Sequence, residues 1–120
     1  MSAVNVWASV NTWLYEVNTA PIAFAGFNQI NIAAGVTVTL DGSNSSDADG
    51  DSLTYLWTQN SGYTVTLSSE TAVSPTFTAP VANLDSTLVF SLTVNDGQVD
   101  SAATTVSVGV RASNTAPIAF

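Results

Sequence analysis

Leu53-Thr-Tyr-Leu-Trp-Thr58 and Phe90-Ser-Leu-Thr-Val94 set the fold class. In the first run Leu53, Tyr55 and Trp57 share one face, and Thr54, Leu56 and Thr58 share the other. In the second, Phe90, Leu92 and Val94 alternate with Ser91 and Thr93. A period of two, rich in aromatic and β-branched residues, is the pattern of a half-buried β-strand. Outward from these runs, Val36, Val38 and Leu40 alternate with Thr37 and Thr39, and Val106, Val108 and Val110 alternate with Ser107 and Gly109. Shorter strands are expected at Ile22–Phe24, Asn28–Ile32, Val65–Leu67 and Pro75–Thr78.

Turn signals separate these runs: Asp41-Gly42, Asp49-Gly50, Ser61-Gly62, Asp96-Gly97, and Pro80 with Asn83. Seven or eight short strands with frequent turns and no helix predict an all-β fold. The expected architecture is an immunoglobulin-like, two-sheet antiparallel β-sandwich. Trp57 is expected in its core, with Tyr55 and Leu53 on the same face, packed against Val38, Leu92 and Val108.

The heptapeptide Asn-Thr-Ala-Pro-Ile-Ala-Phe occurs twice, at Asn18–Phe24 and Asn114–Phe120, an offset of 96 residues. That is about the length of one domain, and repetition at such a period marks a chain built from one unit. The expected organisation is an N-terminal extended segment over residues 1–17, one sandwich over 18–113, and the start of a second copy, or a connector, over 114–120. The first segment alternates Val4, Val6, Ala8 and Val10 as a strand would, and carries Trp7, Trp13 and Tyr15. It lies on its own sandwich, or it fills a groove on another copy.

Nine acidic residues face one base, Arg111, and lysine is absent. Charged residues are 8% of the chain, well under the usual share of about 25%. With a mean hydropathy of +0.30, the chain reads as a folded β protein with a neutral hydroxyl and aliphatic surface. One arginine gives no footprint for nucleic acid, and anionic membranes are disfavoured for the same reason. A net charge of −8 favours cations. There is no cysteine, so no disulfide staples the domain. Nothing resembles a membrane span or a secretion signal, so the chain is expected to be cytosolic, or a mature or excised piece, and the composition favours the latter.

Catalysis is not expected. Histidine, cysteine and lysine are all missing, which removes the commonest bases and nucleophiles. Asp47, Asp49 and Asp51 stand too close together in sequence to flank a glycosidic bond from two sides. Spaced two apart around Gly50, they can instead wrap one cation, each offering oxygen ligands. The loop is not an EF-hand, which would place glycine at Ser52 and glutamate at Thr58. Without an ion the three carboxylates would repel one another. Asn44-Ser45-Ser46 also fits the N-glycosylation pattern.

Several runs together resemble the PKD-like (polycystic kidney disease) domain. They are Ala25–Gln29, Val36–Ser43, Ser46–Gln59, Pro75–Pro80 and Phe90–Gly97, in order between Asn18 and Val110. The resemblance implies an immunoglobulin-like sandwich found in tandem in extracellular proteins, among them bacterial and archaeal surface proteins, adhesins and secreted hydrolases. There it serves as a spacer or interaction module and not as a catalyst. In calcium-binding members an asparagine before the first strand and an aspartate after the late long strand join the acidic loop. Carried onto this chain, the implied Ca²⁺ ligands are Asn18, Asp47, Asp49, Asp51 and Asp96, with Ser46 as an additional oxygen donor. Two positions depart from the pattern: Phe27-Asn28 replaces the usual Pro-Asp, and Ala48 stands where proline is common. Losing proline leaves the loop less pre-set.

Three functions follow as expectations. The first is an extracellular or cell-surface structural module, stiffened by calcium and joined to copies of itself or to like domains. The second is a self-assembling filament subunit joined by donation of its N-terminal strand. The third is a glycan-binding accessory domain of a secreted hydrolase, with Trp7, Trp13, Tyr15 and Tyr63 stacking on sugars.

Overall fold

The computed structural model describes residues 17–113. The expected N-terminal strand with Trp7, Trp13 and Tyr15, and the second heptapeptide Asn114–Phe120, lie outside the described residues. Six strands are present: β1 (Gln29–Ile32), β2 (Thr37–Thr39), β3 (Thr54–Ser61), β4 (Thr76–Thr78), β5 (Ser86–Asn95) and β6 (Thr104–Val110). One sheet has the order β1-β6-β5-β3, and the other pairs β2 with β4. Period-two alternation produces the core. Leu88, Phe90, Leu92 and Val94 of β5 point inward, as do Val106, Val108 and Val110 of β6, and all are buried. Val38, Leu40 and Phe77 meet them from the second sheet.

Trp57 is 1% exposed and lies among these residues, with Tyr55 and Leu53 partly buried against the same cluster. Its indole N–H donates to the Ala72 carbonyl at 2.9 Å. The one polar atom of a large core side chain is thereby satisfied, as burial demands.

The first strand differs from the expected antiparallel pattern, because it runs parallel to its neighbour after a separate bridge upstream. Ile22 makes an antiparallel bridge to Ser46, beyond β2. The chain then turns at Gly26 and continues as β1, which runs parallel to β6. Gly26 has φ 93°, and a Cβ there would sit 2.9 Å from the Asp41 carbonyl oxygen. Only glycine passes this crossing without strain. Along β1 the register slips between Gln29 and Ile32, with Asn31 at φ 58°. That bulge breaks strict alternation and leaves Ile30 74% exposed. The Gln29 side-chain amide donates to the Thr39 carbonyl at 3.0 Å and ties the two sheets together.

Val65–Leu67 is not a strand. The Gln59 side chain takes the place of a ladder there. Its oxygen accepts the Val65 N–H at 3.0 Å, and its NH₂ donates to the carbonyls of Ser61 and Tyr63. Side-chain hydrogen bonds of this kind offer the backbone an alternative to sheet pairing. The expected strand at Ile22–Phe24 is reduced to the single Ile22–Ser46 bridge.

Gly26→Ala is expected to destabilise the domain by about 1–3 kcal/mol, measured by urea unfolding. An unchanged midpoint would show that the crossing tolerates a side chain.

Candidate metal centre

Three elements converge at one end of the sandwich: the residues entering the first strand, the loop after Ser46, and the turn after β5. The paired hydrogen bonds between Ile22 and Ser46, at 2.8 and 2.9 Å, fix where the acidic loop begins. Phe24 N–H donates to Ser45 Oγ at 2.9 Å and holds the same stretch. The loop then folds on its first carboxylate. Asp47 Oδ2 accepts the N–H groups of Asp49 and Asp51, at 3.1 and 2.9 Å. The Asp47 carbonyl accepts Gly50 N–H at 3.0 Å, and Gly50 has φ 78°, the conformation that closes the turn.

Asp96 arrives from the opposite side of the cluster. It follows the last residue of β5, and the bridge between Asn95 and Asp100 closes its turn. Its Oδ1 accepts the N–H groups of Gln98 and Val99, both at 2.9 Å. Asn18 Nδ2 donates to its Oδ2 at 2.9 Å. Asp96 is 6% exposed. The Val99 N–H, then the Asn18 amide, hold its carboxyl below the ordinary carboxylate value.

Oxygens of Asp47, Asp51 and Asp96 lie within 4.8 Å of one another. The other oxygen of Asp47, Oδ1, is buried and has no hydrogen-bond partner. Asp51 feels its neighbours: partial desolvation first, then the charges of Asp47, Asp49 and Asp96, raise its proton affinity above the ordinary value. An orphaned buried carboxylate oxygen among two further carboxylates is a donor set suited to a hard cation. Oxygens around Ca²⁺ sit about 2.3–2.6 Å from the ion, so ligands on opposite sides are about 5 Å apart. The cluster has that span without rearrangement.

The five positions implied by sequence therefore take three different places. Asp47, Asp51 and Asp96 face one point. Asn18 touches that point through Asp96. Asp49 is turned away from it, its Oδ2 accepting Thr19 N–H at 2.7 Å. Asp49 thus latches the incoming chain to the loop. Ser46 is committed through its backbone to Ile22. Asp41, the first acid of the run, caps its own turn by accepting Ser43 N–H at 2.9 Å; the Ser43 side chain first, then this N–H, hold its carboxyl below the ordinary value. The Thr19–Asp49 contact was invisible in sequence. Its only trace was the polar pair Asn18-Thr19 opening the heptapeptide.

Comparisons with known proteins place the chain among PKD domains. A family profile described as K319L-like, PKD domain, matches residues 25–110. The solution structure of the PKD domain from KIAA 1837 protein superposes with a TM-score of 0.62 at 28% identity, covering 88% of this chain and 100% of that one. A nucleoside hydrolase-related hypothetical protein from Saccharophagus degradans, associated with carbohydrate metabolism, matches with a TM-score of 0.58 at 26% identity. That match covers 79% of this chain, which spans only 26% of the length of the other. A sialyltransferase from Photobacterium damsela shares the fold, with a TM-score of 0.55 at 23% identity, over 72% of this chain and 18% of its own. No curated protein matches the chain. The profile covers most of the sequence, and the strands, core and turn order agree with it: the chain belongs to the K319L-like PKD domain family.

Proposed function

We propose that the chain is a non-catalytic, extracellular structural building block whose N-terminal end is stiffened by one bound Ca²⁺. Asp47, Asp51 and Asp96 hold the ion. Asn18 orients Asp96, and Asp49 ties the incoming chain at Thr19 to the same loop. The observation that carries this reading is Asp47 Oδ1, a buried carboxylate oxygen with no hydrogen-bond partner, beside two more carboxylates within 4.8 Å. A buried carboxylate oxygen with no hydrogen-bond partner is costly. A divalent cation reverses the sign of that cost and turns mutual repulsion into attraction. Because the cluster joins the first residues of the module to the acidic loop and the β5 turn, an ion there stiffens the point where the chain enters.

The extracellular placement is supported by the family and by an oxygen-only site of the kind suited to a calcium-rich medium. No helix among the described residues is long and apolar enough to cross a membrane. Use as a repeat or as a fibre subunit is supported by the duplicated heptapeptide and by the low surface charge.

Calcium is expected to raise the melting temperature, and a chelator to reverse the rise. At a free ion concentration one hundredfold above Kd, linkage gives about 2.7 kcal/mol, on the order of 10 °C for a domain of this size. Asp96→Asn should abolish the calcium-dependent shift while leaving a folded domain by circular dichroism. If wild-type melting is indifferent to millimolar calcium and to chelator, the ion has no place in the account.

Asp51→Asn tests the electrostatics separately. A raised folded pKa means that this group favours folding when protonated and opposes it when ionised. Its contribution is present below the unfolded carboxylate value and is lost as pH rises through the folded one. At pH 7 without calcium, Asp51→Asn should therefore raise the melting temperature by a few degrees. With calcium it should shrink the increment that the ion supplies. A variant less stable in both conditions would contradict the repulsive cluster.

A further inference from the structure

We propose that the groove holding Asn18–Phe24 also accepts Asn114–Phe120 of a second copy, so that copies link head to tail by exchange of this peptide. The inference rests on the building-block reading above but needs no ion. It starts from what the groove recognises. Asn18 donates to Asp96, Thr19 N–H donates to Asp49, Ile22 bridges Ser46, and Phe24 N–H donates to Ser45. Pro21 is buried and Ala23 is 4% exposed. Every one of these residues recurs in the same order from Asn114 to Phe120. The duplicated stretch coincides with the docked stretch, including the small Ala23 that the core requires and the polar pair that meets Asp96 and Asp49. Exchange of an identical element replaces each contact by its equal, which makes it a low-cost route to association.

Topology forbids a copy from filling its own groove with its second peptide. Val110, at the end of β6, pairs with Ser86 at the start of β5, whereas Asp96 follows the far end of β5. Beyond β6 the chain is still held at the Ser86 end: Ala112 N–H donates to Asp85, and Ser113 donates through both N–H and Oγ to the Ala82 carbonyl. Asn114 is one residue further, a step of at most about 3.6 Å. β5 has ten residues, about 30 Å of strand. The second peptide therefore cannot reach the groove of its own module, and the groove it fits is that of a second copy. Donor and acceptor sites lie at opposite ends of the sandwich, so the contact is heterologous and extends into a filament instead of closing on itself. Asn114 follows Ser113 directly, so the joint has no linker. The exposed Val81 and Leu84, 72% and 74% accessible, flank the point where the chain leaves, and the joint covers them.

Each copy's own Asn18–Phe24 competes with the advantage of being tethered, equivalent to a millimolar local concentration. Linking is therefore a property of high protein concentration, or of refolding under crowding by other copies. The chain has no cysteine, so engineered thiols report without background. A Ser46→Cys chain and an Ile118→Cys chain are refolded together from urea at high concentration under oxidising conditions. The expected product is a dimer joined between positions 46 and 118, identified by mass spectrometry. Its yield should rise with concentration and drop several-fold when Ala119→Asp is added to the donor, since that side chain must enter the buried Ala23 place. A single chain carrying Ile22→Cys and Ser46→Cys shows that the pair can close. If that control closes but the 46–118 link never exceeds the Ala119→Asp level, the exchange is overturned. Calcium-dependent melting is a separate readout and would stand unaffected.

Discussion

Two hydrogen bonds between the backbones of Ile22 and Ser46 decide more of this molecule than their number suggests. They attach the first segment to the stretch that follows β2 before it turns at Gly26 to join β6 in the larger sheet. They also set the start of the acidic loop, so that Asp47 begins its turn against the entering chain. From that anchor Asn18 reaches Asp96 and Thr19 reaches Asp49. Core packing holds the sheets face to face, but this short pairing converts a generic sandwich into one with a defined, charged end.

The charge distribution gives that end its meaning. A chain with few ionic side chains gathers Asp47, Asp49, Asp51 and Asp96 into one corner. Backbone N–H groups offset part of the repulsion at Asp47 and Asp96. Asp51 has no such help and bears the remaining strain as a raised proton affinity. The protein compensates the cluster only in part and leaves one buried oxygen, Asp47 Oδ1, unmatched, which is the basis of the calcium proposal.

Sequence pattern revealed most of the fold because burial in a sandwich follows a period of two. Phe90 through Val94 and Val106 through Val110 could be assigned to the core residue by residue, and Trp57 with them; Leu88, one step earlier on the same face, was not read. Pattern failed where side chains replaced the ladder. Val65–Leu67 has the composition of a strand, yet the Gln59 amide binds its backbone. The parallel pairing of β1 and its bulge at Asn31 depend on a crossing that hydropathy does not encode. Within the cluster, Asp47 and Asp51 were legible from spacing, whereas Asn18 and Asp96 came from resemblance alone. Spacing also grouped Asp49 with Asp47 and Asp51. It could not show that a single backbone N–H at Thr19 draws this carboxylate away from the shared point.

The most direct measurement is calorimetric titration of the 120-residue chain with Ca²⁺ in buffers of different ionisation enthalpy, at neutral pH and again near the carboxylate range. The account predicts one ion per chain, with proton release that appears only as pH approaches the range where Asp51 is protonated. Absence of binding at millimolar calcium, or binding with no proton release at any pH, would contradict it.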